Sequence, residues 1–175
     1  MRYTPLAAAA AFTLLAAQAQ AGGYAGIALG QASIDDTVTQ SGTSAGIDEN
    51  ATGWKIFGGY GFTDNLGVEA GWADLGDMNE GGVVDTETEG FYAAGVGRFP
   101  IGDSGLSVHG KLGLYAWDQD IAISGGTVSH DGIDFMYGIG AKYLVNDLLG
   151  VQFDWERYNT ETDADLISVG ITLNF

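Results

Sequence analysis

The residues able to do chemistry in this chain are few and share one position in its pattern. Six Lys and Arg residues stand against 23 Asp and Glu, for a formal net charge of −17. Apart from Arg2, the bases are Lys55, Arg98, Lys111, Lys142 and Arg157. The first four alternate with apolar neighbours on the same parity as Glu69, Asp154 and Glu156. Enclosed together, these seven could form a packed ionic plug or line a narrow ion path, and each needs a counter-charge once it leaves water. His109 falls on the same parity and reads as a polar packing residue, not a general base.

Other constellations are weaker. Ser129, His130 and Asp131 are consecutive, so their side chains diverge and make no triad. Asp118-x-Asp120 and Asp163-x-Asp165, with the acids of 74–89, could offer hard oxygens to Ca²⁺ or Mg²⁺. They lack the calcium-loop pattern, and solvated surface charge is the expectation. Gly95-Val-Gly-Arg98 and Gly138-Ile-Gly-Ala-Lys142 lie inside extended segments with no helix following, which excludes a phosphate loop. Asn50-Ala-Thr52 is a formal glycosylation sequon without expected consequence. A charge of −17 excludes a nucleic-acid partner, which would demand a basic footprint. No cofactor, metal or enzymatic activity is expected.

The elements that carry these residues have a period of two. Eight such segments can be marked: 23–34, 52–62, 66–75, 89–100, 105–118, 133–145, 148–158 and 164–175. Period two means extended strands, because successive side chains point to opposite faces. The connections 63–65, 101–104 and 146–147 are short and carry turn residues. The connections 35–51, 76–88, 119–134 and 159–163 are mostly longer and polar. Short turns at one end and long loops at the other describe an all-β, eight-stranded antiparallel up-and-down transmembrane β-barrel.

One face of every segment is apolar and the other small or charged. A soluble barrel would turn the apolar face inward and a membrane barrel outward. Two aromatic levels decide for the membrane: Trp54, Trp72, Phe91, Tyr137 and Trp155 toward the long loops, and Tyr60, Phe62, Phe99, Tyr143 and Phe175 toward the short turns. Aromatic girdles bounding an aliphatic belt are what bilayer interfaces favour. The clustering of bases on the non-apolar parity and the crowding of the remaining acids into the connections agree. Cysteine is absent, glycine numbers 29 and proline 2, which suits a ladder that cannot spare backbone donors.

The N-terminus reads as an export signal. Arg2, an apolar run over 6–17 and Ala19-Gln20-Ala21 are its charged, hydrophobic and cleavage regions. The expected domains are therefore a cleaved signal peptide, 1–21, and a barrel domain, 22–175, located in the bacterial outer membrane after passage through the periplasm.

With Phe57-Gly-Gly-Tyr-Gly-Phe62, the stretch Leu66–Gly76, Arg98-Phe-Pro-Ile101, Gly110-Lys-Leu-Gly113 and the terminal Ser168–Phe175 in order, the mature chain resembles the small eight-stranded OmpA/OmpX-type outer-membrane barrels of Gram-negative bacteria. The resemblance implies an interior acid at Glu69 and an interior base at Lys111, in agreement with parity. It also implies that Gly170, Leu173 and Phe175 belong to the signal read by the barrel assembly machinery. Lys142 departs from the OmpA pattern, which tends to keep an interior acid there. No peptidoglycan-binding domain follows Phe175, so a cell-wall tether is not expected of this chain. The functions implied are envelope integrity, adhesion or recognition through acidic loops, with a narrow or gated pore as the alternative and a lipid A-modifying enzyme as a lesser one. Expected partners are outer-membrane lipid and lipopolysaccharide, periplasmic chaperones and the assembly machinery, and an unidentified extracellular partner.

Overall fold

A computed structural model describes residues 22–40, 43–80, 84–123, 126–159 and 163–175, with side chains outside 34–50, 77–87 and 119–130. The segment read as a signal peptide, 1–21, lies outside the described residues, as do the side chains of Asn50, Asp120, Ser129 and His130.

Eight antiparallel strands close on themselves: β1 (Gly23–Gln40), β2 (Thr43–Gly61), β3 (Leu66–Glu80), β4 (Val84–Pro100), β5 (Leu106–Ile123), β6 (Gly126–Leu144), β7 (Leu149–Tyr158) and β8 (Ala164–Asn174). Each strand pairs with its sequence neighbour, and β8 pairs back onto β1, from Tyr24↔Asn174 to Ile34↔Ala164. Gly23 and Phe175 complete the seam by exchanging backbone hydrogen bonds of 3.0 and 2.9 Å. Closure leaves no edge around the apolar belt, which a bilayer requires because its hydrocarbon offers no partner to a free N–H.

Burial follows parity. In β7 and β8 buried positions alternate with exposed ones almost without interruption. The exposed positions are apolar: Ile27, Leu29, Leu112, Ile139, Phe153, Val169 and Ile171 are each about half exposed or more. The buried positions include Lys55, Glu69, Lys111, Lys142, Asp154 and Glu156. A soluble barrel would show the reverse. The hydrophobic belt faces outward and the charges occupy the lumen.

The strands run farther than the apolar alternation does. The connections expected at 35–51, 76–88 and 119–134 are largely ladder; β1 and β2 stay paired as far as Gln40↔Thr43 and β5 and β6 as far as Ile123↔Gly126. The reason is geometric. An 18-residue strand spans roughly 60 Å at ~3.3 Å per residue, or ~45 Å along the normal at a tilt of about 40°. The apolar band needs only ~25 Å. Beyond it neither face has to be apolar, so the side-chain period fades while backbone pairing continues. β7 and β8, with 10 and 11 residues, are close to the belt's own height.

The turns on the opposite side are tight. Asn146 Oδ1 accepts from Leu148 N and Leu149 N in the β6–β7 turn, and Thr63 Oγ1 accepts from Leu66 N in the β2–β3 turn. Toward the far end of β3, the register against β4 shifts between Asp74 and Asp77, where Gly76 adopts φ +83°. Asp74 fixes this bulge by accepting from Gly76 N at 2.7 Å and from Trp54 Nε1 at 2.9 Å. A side chain other than glycine's would be strained at that φ.

Candidate functional site

The lumen is filled by a hydrogen-bonded ion cluster whose members come from opposite walls. Lys55 on β2 reaches across to β7 and donates to Asp154 Oδ2 at 2.8 Å and Glu156 Oε2 at 2.6 Å. Lys111 on β5 donates to Glu69 Oε1 at 2.7 Å and Glu156 Oε1 at 2.9 Å, with Asp154 Oδ2 at 3.4 Å. His109 Nε2 donates to Asp154 Oδ1 at 2.7 Å, and Gln152 Nε2 to Asp154 Oδ2 at 2.8 Å. All five charged side chains are at most 2% exposed. Three carboxylates face two ammonium groups, and His109 lies against the carboxylate with most donors.

Tyrosines complete the shell. Tyr24 and Tyr92 each donate to Glu69 at 2.8 Å, one to each oxygen. Tyr158 donates to Glu156 Oε2 at 3.1 Å. Phe57 lies beneath both ammonium groups, with Lys55 Nζ 5.2 Å and Lys111 Nζ 5.5 Å from its ring centroid, distances at which the ring face attracts a cation. Each carboxylate thus accepts three or more hydrogen bonds. That is the condition under which buried charge is tolerated.

The register explains how the pairs meet. Lys111 pairs with Gly138, which pairs with Glu156; His109 pairs with Gly140, which pairs with Asp154. Tyr24 pairs with Gly59, which pairs with Glu69; Phe57 pairs with Gly71, which pairs with Tyr92. In each row the middle strand contributes a glycine, and the flanking side chains come together over the space a Cβ would take. A Cβ on Gly138 would lie 2.7 Å from Glu156 Cγ, and one on Gly140 would overlap Asp154 Oδ1 and His109 Nε2. These glycines are therefore part of the site.

Arg98 and Lys142 do not join the cluster, which corrects the expectation of a seven-member network. Lys142 is on β6, opposite Ser107 and Gln152, on a row nearer the short turns than Lys111. Its Nζ donates to Asn174 Oδ1 at 2.6 Å and lies 4.7 Å from the Tyr24 ring centroid. Arg98, half buried on β4, places its guanidinium carbon 5.6 Å from the same centroid. Parity fixes the face of a residue but not its height, and both side chains stand at the mouth of the lumen.

The girdle residues all lie on the outer face. Trp54, Tyr60, Phe62, Phe91, Phe99, Tyr137, Tyr143 and Phe175 are exposed, and Trp72 and Trp155 half buried. Trp72 and Phe91 stack edge to face with centroids 4.5 Å apart, as do Tyr137 and Trp155 at 6.0 Å. Of the terminal residues, Leu173 and Phe175 point outward and Gly170 is buried against Ala28. Sequence reasoning did not single out Tyr24, Tyr115, Tyr158, Trp117 or Gln152, which share the lumen parity and could have been found by it. Trp117 Nε1 donates to Asp134 at 2.7 Å, and Tyr115 Oη to Ala73 O at 3.2 Å. The fifth base, Arg157, is on the outer parity and pairs with Asp165 on β8 through two nitrogens at 2.5 and 2.7 Å.

Among the described residues no group of three or more His, Cys, Asp or Glu is arranged to hold a metal ion. His109 is committed to Asp154 within the lumen and faces away from lipid.

Comparison with known proteins agrees with this geometry. Outer membrane protein A of Salmonella typhi is 30% identical over the whole chain, and that of Escherichia coli O157:H7 is 26% identical; the chain spans about half the length of these relatives, 56% and 55%. Neisserial surface protein A superposes with a TM-score of 0.70 at 15% identity, covering 88% of this chain and 97% of that one. Ail, the attachment invasion locus protein of Yersinia pestis, superposes with a TM-score of 0.61 at 18% identity, covering 88% and 99%. Residues 4–175 match the family described as outer membrane protein beta-barrel domain. This chain belongs to that family of eight-stranded barrels and is a protein of the bacterial outer membrane.

Proposed function

We propose that this barrel acts through its surface and its membrane-embedded wall and not by conducting solutes, serving envelope integrity or recognition through its acidic outer extensions. The observation that carries this reading is the five-member ion cluster, at most 2% exposed and spanning the lumen from β2 to β7. Eight strands enclose an interior that side chains can fill, and here the filling is bonded from wall to wall. The lipid-facing belt is matched by outer-membrane lipid, and the acids of the extended strands by lipopolysaccharide with its bridging divalent ions. Assembly through periplasmic chaperones and the barrel assembly machinery fits the terminal Gly170, Leu173 and Phe175. The commitment of His109 to the lumen favours a non-enzymatic role over lipid modification.

The test compares a deletion strain complemented with wild-type protein, with a form whose β1–β2 and β5–β6 extensions are shortened, and with K111M. The surface reading predicts that shortening abolishes rescue of detergent resistance or cell attachment at unchanged membrane levels. Equal rescue by the shortened form, together with solute uptake that changes only in K111M, would replace it with the pore reading.

A further inference from the structure

The lumen's two remaining bases form a second, separate feature. A cavity of about 320 Å³ opens at the short-turn mouth and is lined by Tyr24, Arg98, Ser107, Lys142, Asp147 and Asn174, among others. That is far more space than one water needs. The Tyr24 ring carries both cations: Lys142 Nζ lies 4.7 Å and the Arg98 guanidinium carbon 5.6 Å from its centroid. The two charges are thus held within about a Debye length of each other, in a protein with a net charge of −17.

Neither forms an ion pair among the described residues. Lys55 contacts two carboxylates and Lys111 three. No nitrogen of Arg98 or Lys142 comes within 4.0 Å of a carboxylate oxygen among the described residues. Lys142 is 4% exposed, yet of its three donors only one has a partner among the described residues, the Asn174 side chain. The Arg98 guanidinium, with five donors, has none among the described residues. A nearly buried ammonium beside a second cation is unfavourable without an anion. The surplus donors point to an oxyanion able to accept several of them, and arginine's fork suits phosphate oxygens in particular.

We propose that the short-turn mouth is a phosphate-binding site, with Arg98 and Lys142 as the charged ligands on a floor formed by Tyr24. Its occupant carries a phosphoryl group, either free in the periplasm or as a phospholipid headgroup from the inner leaflet. The lipid source is within reach because Phe175, exposed on the outer face, also lines the cavity. This assignment does not depend on whether the lumen is closed.

The test uses the full barrel in dodecyl maltoside micelles, which carry no phosphate, with NMR of selectively labelled Lys and Arg side chains. In one arm inorganic phosphate is titrated; in the other phosphatidylglycerol is titrated into the micelles. Saturable shifts at Lys142 and Arg98, with Lys55 and Lys111 unmoved, are expected in at least one arm, and the responding arm identifies the source. R98Q and K142Q should each weaken binding roughly tenfold, the value of one charge-assisted hydrogen bond, and D147N should tighten it. None of the three bonds to the five charged members of the inner cluster, and unchanged heat-modifiable migration will verify that they fold. No saturable shift in either arm, or equal affinity of R98Q and wild type, overturns the site.

Discussion

Replacing Lys111 with methionine is the perturbation to which the lumen should respond most. Among the described residues its ammonium is the only cation paired with Glu69, at 2.7 Å, and it shares Glu156 at 2.9 Å with Lys55. After the change Glu69 keeps only the Tyr24 and Tyr92 hydroxyls. Asp154 and Glu156 keep Lys55, so most of the loss falls on one stranded carboxylate. Breaking a buried pair by removing one partner costs about 3–5 kcal/mol. E69Q in the same chain removes the uncompensated charge while leaving a carbonyl to accept from the tyrosines. The double variant should regain about 2 kcal/mol of the loss, a coupling within the range found for contacting residues. The assay is reversible urea unfolding in lipid vesicles, followed by tryptophan fluorescence and heat-modifiable migration, for wild type, both single variants and the double. A K111M barrel within about 0.5 kcal/mol of wild type would refute the reasoning, as that is the ordinary scale of a surface change. So would strictly additive losses in the double variant.

Three further outcomes follow from the same contacts. G140A should destabilise the barrel by about 1–3 kcal/mol, because its Cβ would overlap the His109–Asp154 contact and the Phe153 carbonyl; an alanine at Gly97, where a Cβ meets nothing within 4 Å, is the control and should be nearly neutral in the same unfolding assay. R157A should cost less than about 1 kcal/mol, since the Arg157–Asp165 pair is partly exposed, with side chains 28% and 16% accessible. Deleting Phe175 removes both hydrogen bonds it exchanges with Gly23 at the β1–β8 seam. Outer-membrane levels of that truncation, measured by fractionation, should fall well below wild type.

Much of this architecture was legible in the residues, and the parts that were not share a cause. Period two assigned Glu69, Lys111, Asp154 and Glu156 to one face and Ile171, Leu173 and Phe175 to the other, because a pleated strand has only two faces. Parity carries no information on height. Arg98 and Lys142 therefore looked equivalent to Lys111, and only the strand register set them one or more rows closer to the turns. The partners of each charge were hidden for the same reason: Glu156 meets Lys111 because Gly138 stands between them in the row, a fact of pairing and not of spacing along the chain. The extents of β1, β2, β5 and β6 exceeded the periodic segments because the signal read was lipid contact, and their ladders continue where lipid ends. Trp117 and Tyr115 went unnoticed as interior residues because an aromatic on the polar parity breaks the binary pattern even when it packs the lumen.

The central claim is that bonded side chains close the lumen. Its most direct test is the conductance of the purified, folded barrel in planar bilayers. The cluster of Lys55, Lys111, Glu69, Asp154 and Glu156 predicts a silent baseline for wild type across the usual voltage range, with openings appearing in K111M. A stable, ohmic wild-type current that keeps its size in K111M would contradict it.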